Sequence, residues 1–242
     1  FFASWFNEAK IDLLVVNGDV AYTGEDIEKV LRELGQAVHV PILVISGNKE
    51  IATQFDQALT HIATELPHLI NGNRVRALTI HGVNFVTLPG YGKRNYTEPG
   101  ACLFNQTDID NTAALIKKIG GTTVLVAHAA PLQAGKDGID FMVEGKSVGD
   151  ARIAKLLTDT DTKFAIVGNI KEAGGRAADR AGKAIAVDTD ASELILNPGP
   201  TEASPWSMMD GSISHGMAAL LTLNQGKARY ATKKQAAPTP AK

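Results

Sequence analysis

The chain has 242 residues, of which 44% are hydrophobic and 21% charged, and its formal net charge is −2. This composition predicts a soluble protein with enough apolar residues for one large core, and the near-neutral charge gives no indication of nucleic-acid binding through bulk electrostatics. The single cysteine, Cys102, excludes an internal disulfide framework and a cysteine-based zinc cluster. No apolar run approaches the roughly 18–20 residues that span a bilayer, so we expect no membrane span, and the cytoplasm is slightly favoured as the compartment.

In the N-terminal third of the chain, apolar periodicity predicts helices that alternate with buried strands. Thr23 is the candidate N-cap of the second helix, because acidic residues follow it in the first turn. The predicted elements are a helix at 1–10, a strand at 12–17, a helix at 23–38, a strand at 40–46, a helix at 52–65 and a hairpin at 76–90 that turns at His81-Gly82.

The remainder of the chain begins with a loop and becomes richer in strands. Its predicted elements are an exposed polar loop at 91–100, a helix at 107–119, a strand at 122–128, a helix at 151–158, a strand at 163–169, two short strands within 184–199 and a hairpin at 216–232. This order predicts an α/β protein, a layered sandwich of mixed sheets, with one domain over 1–231. The polar segment 232–242, rich in Pro and Ala, is predicted to be a disordered tail.

Four of the predicted strands end in a polar side chain. These are Asp19, Asn48, His128 and Asn169, each following an apolar run. Because ligands of α/β proteins collect outside the carboxyl ends of the strands, we expect these four side chains to form one site.

The motifs around these positions resemble the calcineurin-like metallophosphoesterase family, in order and over nearly the whole chain. "GDVAYTG" resembles the second family motif, "GNKE" the third, "VAHAAP" the fourth and "VGNIKEAGG" the fifth, and "LILNPGP" follows where the family often has a strand ending in N-P-G. The resemblance implies an α/β/β/α sandwich and a pair of divalent metals that bind phosphoryl oxygens and activate a bridging water. It also implies that Asp19 bridges the metals and that Asn48 and His128 bind the second one.

Three family histidines are absent from this chain. Lys49 stands at the histidine of the third motif, which acts on the leaving group in the family, and Asn169 and Lys171 stand at the two histidines of the fifth. The first motif, D-x-H, is not visible, because the sequence opens in what resembles the helix after that strand. A first strand carrying it would therefore lie upstream of Phe1.

These replacements argue against a two-metal centre, because a carboxamide is a poorer metal ligand than an imidazole and an ammonium group has no lone pair. We expect Lys171, together with Lys49, to take the electrostatic place of one metal beside Asp19. The expected cofactor is none, or one weakly bound Mn, Fe or Zn ion on the four strand-end side chains.

Each of these residues also has a simpler interpretation. Asp19 is also suited to a turn or a helix cap, Asn48 to turn hydrogen bonds, and His128 to a buried position whose hydrogen bonds are satisfied. Lys49 and Lys171 are of a type that is most often solvated.

Three further cations are candidates for binding a substrate or anion. Lys93 and Arg94 lie in the aromatic loop 91–100, and Arg176 follows the fifth motif. A loop with rings and cations suits a base and a phosphate, although an ordinary exposed loop has the same composition.

Two functions from different classes follow, and we favour the first. The chain is a catalytically degenerate metallophosphoesterase-like protein that acts as a binding or structural module, for a protein partner or a phosphate-containing ligand. Alternatively, it is an active phosphoesterase with a reduced, mononuclear site, in which Asp19 and His128 hold the metal and Lys49 stabilises the developing charge. A third interpretation is an unrelated α/β binding protein whose strand ends only mimic the motifs.

Overall fold

Helices and strands alternate in the computed structural model, which describes residues 2–135 and 137–237. The predicted mixed α/β architecture is therefore confirmed. The helices are α1 (Phe2–Ala9), α2 (Gly24–Ala37), α3 (Ala52–Ile62), α4 (Gln106–Ile119) and α5 (Ala151–Asp159), with 3-10 turns at Arg94–Tyr96 and Lys171–Ala173. The strands are β1 (Leu14–Asn17), β2 (Ile42–Ile45), β3 (Leu69–Asn71), β4 (Ala77–Ile80), β5 (Val83–Leu88), β6 (Thr123–Ala127), β7 (Phe164–Ile166), β8 (Arg176–Ala178), β9 (Ala184–Ile185), β10 (Leu194–Asn197), β11 (Trp206–Ser207), β12 (Ile213–Ser214), β13 (Met217–Asn224) and β14 (Lys227–Lys234).

Local sequence signals account for the helix starts. Thr23 caps α2, since its hydroxyl accepts a hydrogen bond from the backbone N–H of Asp26 at 3.1 Å, as predicted. Asn105 and Asp108 form a reciprocal capping box at the start of α4. These caps satisfy backbone donors that a helix leaves unpaired at its first turn.

Two sheets carry most of the strands. The first has the order β1-β2-β3 and is parallel throughout, with Asn17 opposite Ile45 at its carboxyl edge. The second has the order β4-β5-β6-β7-β10-β8-β9, and β5, β6, β7 and β10 are parallel to one another. The hairpins β11-β12 and β13-β14 form separate two-stranded sheets, and the Tyr230 hydroxyl of β14 donates to the Ile185 carbonyl of β9 at 2.9 Å.

Alternate strand residues enter different buried clusters, which places the two sheets face to face. Leu43 of β2 and Val124 of β6 share one cluster between the sheets, to which the β13-β14 hairpin also contributes. Val44 of β2 packs on the other side with α1, α2 and α3, whereas Leu125 of β6 packs with α4 and α5. Because side chains alternate along a strand, each sheet has one face toward the other sheet and one toward helices.

The predicted exposure of one loop and several predicted boundaries are wrong. The loop 91–100 is not exposed throughout, since Tyr91 is only 3% exposed. Strand β14 continues to Lys234, so it includes the first residues of the segment 232–242 that we predicted as a tail, while 238–242 lie outside the described residues. Helix α3 ends at Ile62 rather than at 65.

In the parts of the chain that the structure describes, no helix is both long and apolar enough to cross a membrane.

Candidate functional site

The candidate site lies at the carboxyl ends of β1, β2, β6 and β7. Asp19 follows β1, Asn48 follows β2, His128 directly follows β6, and Asn169 follows β7. The Gly168 N–H donates to the carbonyl of His128 at 3.0 Å, which ties the turn after β7 to the end of β6. The structure therefore places these residues at the carboxyl ends of their strands, and the His128 side chain contacts those of Asp19 and Asn48.

Asp19 is fixed by the turn that follows β2. Its Oδ1 accepts hydrogen bonds from the backbone N–H groups of Asn48 and Lys49, each at 3.1 Å. Its own backbone is in the left-handed region, with φ of +56°. Asp19 thus has the turn-stabilising role of the simpler interpretation, while the same Oδ1 also lies 3.4 Å from His128 Nε2.

His128 is buried between three oxygen atoms. Its Nδ1 lies 2.7 Å from the carbonyl of Asn17, and its Nε2 lies 3.0 Å from Asn48 Oδ1 and 3.4 Å from Asp19 Oδ1. Asn48 presents its oxygen because its amide nitrogen donates to the carbonyl of Tyr96. Since the Asn17 carbonyl only accepts, Nδ1 carries a hydrogen, and Nε2 meets the other two oxygens through either a proton or a cation.

The Asp19–His128 pair has the electrostatics of a buried ion pair. Burial alone would raise the pKa of Asp19, but the hydrogen bond and charge of His128, helped by Lys49, hold that pKa below its ordinary value. Burial alone would lower the pKa of His128, but Asp19 raises it above its ordinary value. Both shifts favour the carboxylate–imidazolium form of the pair over its neutral form.

Two glycines allow this close packing. A Cβ on Gly47 would lie 2.3 Å from Asp19 Oδ1 and 2.7 Å from His128 Cε1. A Cβ on Gly18, whose φ is +83°, would lie 2.6 Å from His128 Nδ1. Any side chain at either position would push the Asp19–His128 pair apart.

Glu50 supports the site from within the protein and was missed in the sequence. It is fully buried, and its carboxylate accepts from the backbone N–H groups of Val20 at 2.5 Å and Gly47 at 2.8 Å. Burial, reinforced by the charge of Asp19, raises the pKa of Glu50. The sequence signal for this role was the position of Glu50, two residues after Asn48 in the "GNKE" motif.

Asn169 contacts a tyrosine in this structure. Its backbone is left-handed, with φ of +64°, and its Nδ2 donates to the Tyr91 hydroxyl at 3.0 Å. Burial is the main effect that raises the pKa of Tyr91 to about 12. The Tyr91 and His128 rings meet edge to face with centroids 6.3 Å apart, so Tyr91 belongs to the site although the sequence placed it in an exposed loop.

Lys49 and Lys171, the two lysines that the resemblance aligns with family histidines, have different partners. Lys49 Nζ donates to the Tyr22 hydroxyl at 3.2 Å, a hydrogen bond that raises the pKa of Lys49, as does the nearby charge of Asp19. Lys171 forms an ion pair with Glu202 and lies 4.4 Å from the centroid of the Trp206 ring. The expectation that Lys171 lies beside Asp19 is therefore wrong, because its ammonium group forms an ion pair with Glu202 instead.

The three cations predicted to bind an anion are not equivalent. Lys93 Nζ donates to the carbonyls of Val148 at 2.9 Å and Gly149 at 3.1 Å. Arg176 donates to the Asp137 carbonyl at 3.1 Å. Lys93 and Arg176 thus hold backbone segments in place, whereas Arg94 is exposed on its 3-10 turn.

The donor atoms around His128 Nε2 have the spacing that the ligands of one small divalent cation would need. Neighbouring ligand atoms around a small divalent cation lie about 3–3.5 Å apart, which matches the separations of Asn48 Oδ1 and Asp19 Oδ1 from His128 Nε2. Among the described residues, no three His, Cys, Asp and Glu side chains form a metal-binding group, so Asn48 has to supply the third donor. The Asn169 amide nitrogen donates to Tyr91, and the Lys171 ammonium group is paired with Glu202.

Comparisons with known proteins show the fold of this chain and nothing finer. No family model and no curated protein matches it. The structure is similar to the crystal structure of TT1561 of Thermus thermophilus, with a TM-score of 0.66 and 14% identity, covering 95% of this chain and 90% of that one. Another crystal structure aligns with a TM-score of 0.67 and 16% identity, covering 84% of this chain and 86% of the other. The mixed α/β fold is therefore one that solved proteins share.

Proposed function

We propose that this protein is a catalytically degenerate, metallophosphoesterase-like binding module that holds one divalent cation at the Asp19–Asn48–His128 site. The face-to-face arrangement of two sheets, with helices outside each, supports assignment to the α/β/β/α sandwich of that family. The order of the strand-end motifs supports it independently. The ligand class that suits such a site is a phosphate-containing molecule.

The convergence of acceptor atoms on His128 Nε2 carries the proposal. Asn48 Oδ1 and Asp19 Oδ1 both lie within 3.4 Å of this nitrogen, and His128 is only 2% exposed. Acceptor atoms packed this closely repel one another unless a proton or a cation lies between them. When bound, a cation there would act as a Lewis acid toward a ligand oxygen.

The side chains at the former histidine positions favour a module over an enzyme. Asn169 donates to Tyr91, and Lys171 is neutralised by Glu202, so neither contributes a second metal position. The Lys49 ammonium group donates its hydrogen bond to the Tyr22 hydroxyl and not to Asp19. Two-metal phosphoryl chemistry needs a clamp on both the attacking and the leaving oxygen, and this donor set supports one half of it.

Metal stoichiometry tests the proposal. We expect equilibrium dialysis of the full chain against Mn²⁺ to saturate at one equivalent, and His128→Ala to abolish this binding. His81→Ala is the matched control. Because the His81 side chain is 78% exposed, this substitution should leave Mn²⁺ binding unchanged. Binding of two equivalents of Mn²⁺ would contradict the one-cation site and favour the two-metal enzyme. Absence of Mn²⁺ binding would contradict the proposal that the site holds a cation.

An active mononuclear phosphoesterase is the second candidate, and Lys49 favours it. Its ammonium group lies at the mouth of the site, within the electrostatic reach of Asp19. An ammonium group near a metal-bound phosphoryl oxygen would stabilise negative charge that develops on the leaving group. Turnover of p-nitrophenyl phosphate or bis-p-nitrophenyl phosphate with Mn²⁺, lost in Lys49→Met, would establish this candidate and exclude the module.

A further inference from the structure

Tyr91 has a buried hydroxyl whose own hydrogen is unused. The residue is only 3% exposed, and Asn169 Nδ2 donates to its oxygen at 3.0 Å. Because an amide nitrogen is only a donor, the phenol accepts in this hydrogen bond and its hydrogen is directed elsewhere. Among the described residues, no acceptor forms a hydrogen bond with that hydrogen.

The backbone holds Tyr91 in a fixed place. Its N–H donates to the Cys102 carbonyl at 3.0 Å, and its carbonyl accepts from Phe104 at 3.1 Å. Gly90, with φ of +78°, makes the preceding turn, where a Cβ would lie 2.4 Å from the Cys102 oxygen. The main chain of Tyr91 is therefore fixed on both sides, and the hydrogen bond from Asn169 orients its hydroxyl, as a positioned donor requires.

The Tyr91 side chain lies beside the Asp19–Asn48–His128 site. Its ring meets those of His128 and Tyr96 edge to face, with centroids 6.3 Å and 6.5 Å apart. Its neighbour Asn169 follows Gly168, whose N–H is bonded to the His128 carbonyl. Tyr91 and Asn169 thus form a pair of neutral donors at the edge of this cation site.

We propose that the Tyr91 hydroxyl donates a hydrogen bond to one oxygen of a phosphate-type oxyanion bound at this site. The inference rests on the proposed function, since the cation offsets the repulsion between Asp19 and the anion. A buried donor without an acceptor is unfavourable by about 1–3 kcal/mol, and an anionic oxygen is the acceptor that relieves it best. Lys93 and Arg176 already bind carbonyls, whereas the Tyr91 hydroxyl still has its hydrogen to donate.

Phosphate binding to the full chain tests this role. Inorganic phosphate is titrated in the presence of Mn²⁺, with paramagnetic broadening of the ³¹P resonance as the readout, and Mn²⁺ binding is followed separately by electron paramagnetic resonance. Removing one hydrogen bond to a charged group should weaken binding about 10-fold or more, so we expect that loss for Tyr91→Phe with unchanged Mn²⁺ affinity. Tyr96→Phe, an exposed tyrosine on the same loop, is the control and should bind phosphate as the parent does.

A second variant keeps the backbone intact. Asn169→Gly retains the left-handed conformation and removes the hydrogen bond that orients the phenol, so it should weaken phosphate binding less than Tyr91→Phe does. If Tyr91→Phe binds phosphate as tightly as the parent chain, the inference is overturned while the cation site stands.

Failure of the proposed function has a different signature. If the parent chain binds no Mn²⁺, that function fails, and phosphate titration of the metal-free chain by calorimetry decides the role of Tyr91. Phosphate binding that Tyr91→Phe weakens would support the role without a cation, whereas the absence of phosphate binding would overturn it.

Discussion

At the scale of single residues, the pairing of Asp19 with His128 sets how the site responds to pH. A cation can use His128 Nε2 only after the proton there has left, and Asp19 raises the pKa of His128. We therefore expect Mn²⁺ affinity to increase about tenfold per pH unit up to the raised pKa and to level off above it. Below that raised pKa, calorimetric titration in buffers of different ionisation enthalpy should show one proton released per cation, and a pH-independent affinity there would contradict this coupling.

The same pair contributes to stability in a defined pH range. The raised pKa of His128 gives stabilisation that is complete below the ordinary histidine pKa and is lost as pH rises through the raised value. The lowered pKa of Asp19 gives stabilisation that is complete above the ordinary aspartate pKa and is lost as pH falls through the lowered value. We expect Asp19→Asn to decrease the free energy of unfolding by about 3 kcal/mol between these limits, because it leaves a buried charge unpaired.

Denaturant unfolding of both chains at several pH values measures this difference. The loss should shrink toward high pH, where the parent chain also has a neutral His128. Asp19→Asn also removes the charge repulsion between Asp19 and Glu50, which helps to raise the pKa of Glu50. This effect makes the loss of unfolding free energy smaller at every pH at which Glu50 is charged. A loss that does not vary with pH would show that Asp19 acts only through its turn hydrogen bonds.

At the scale of elements, the turn after β2 is the tightest part of the site. Gly47→Ala would place a Cβ within 2.7 Å of both Asp19 and His128, so we expect it to abolish Mn²⁺ binding and to destabilise the chain by about 1–3 kcal/mol. Gly24→Ala in the first turn of α2 is the control, since its Cβ would make only ordinary contacts of 3.5 Å and longer. That control should leave binding unchanged and stabilise the chain by about 0.4–1 kcal/mol. If the two substitutions have equal effects on Mn²⁺ binding and stability, the close packing of Asp19 and His128 does not require a glycine at position 47.

Element positions that depend on local signals could be read from the sequence, and contacts between distant segments could not. The Thr23 cap, the turn at His81-Gly82 and the strand ends carrying the site follow from neighbouring residues and periodicity. The burial of Tyr91 depends on its pairing with Cys102 and Phe104, while the direction of Lys171 depends on a glutamate 31 residues further along the chain. Sequence patterns fix what an element is, but the partner of a long side chain is decided by packing.

At the scale of the whole molecule, the site joins the two sheets. Asp19 and Asn48 come from the three-stranded sheet, whereas His128 comes from the seven-stranded one. Asn17 reinforces this link, since its Nδ2 donates to the Ala127 carbonyl at 3.1 Å and its own carbonyl meets His128. A cation bound there would require the two sheets in their native relation, so it should bind the folded chain far better than the unfolded one.

Thermal unfolding in Mn²⁺ follows from this linkage and counts the cations. Binding to the folded state alone stabilises by about 2.7 kcal/mol when free Mn²⁺ is 100-fold above its dissociation constant, which for a chain of this size raises Tm by about 5–10 °C. Above that point, each further tenfold increase in Mn²⁺ adds about 1.4 kcal/mol per bound cation. One cation therefore predicts a rise of about 3–6 °C per tenfold, and a two-metal centre predicts twice that slope.

The comparison that matters is the dependence of Tm on Mn²⁺ within each variant, because His128→Ala also changes stability by removing buried hydrogen bonds. We expect its Tm to be lower and to stay constant as Mn²⁺ increases, whereas the exposed His81→Ala should keep the parent slope. A slope that survives in His128→Ala would place the cation elsewhere in the chain. A doubled slope in the parent would require a second set of ligands, which Asn169 and Lys171 do not provide in their present contacts.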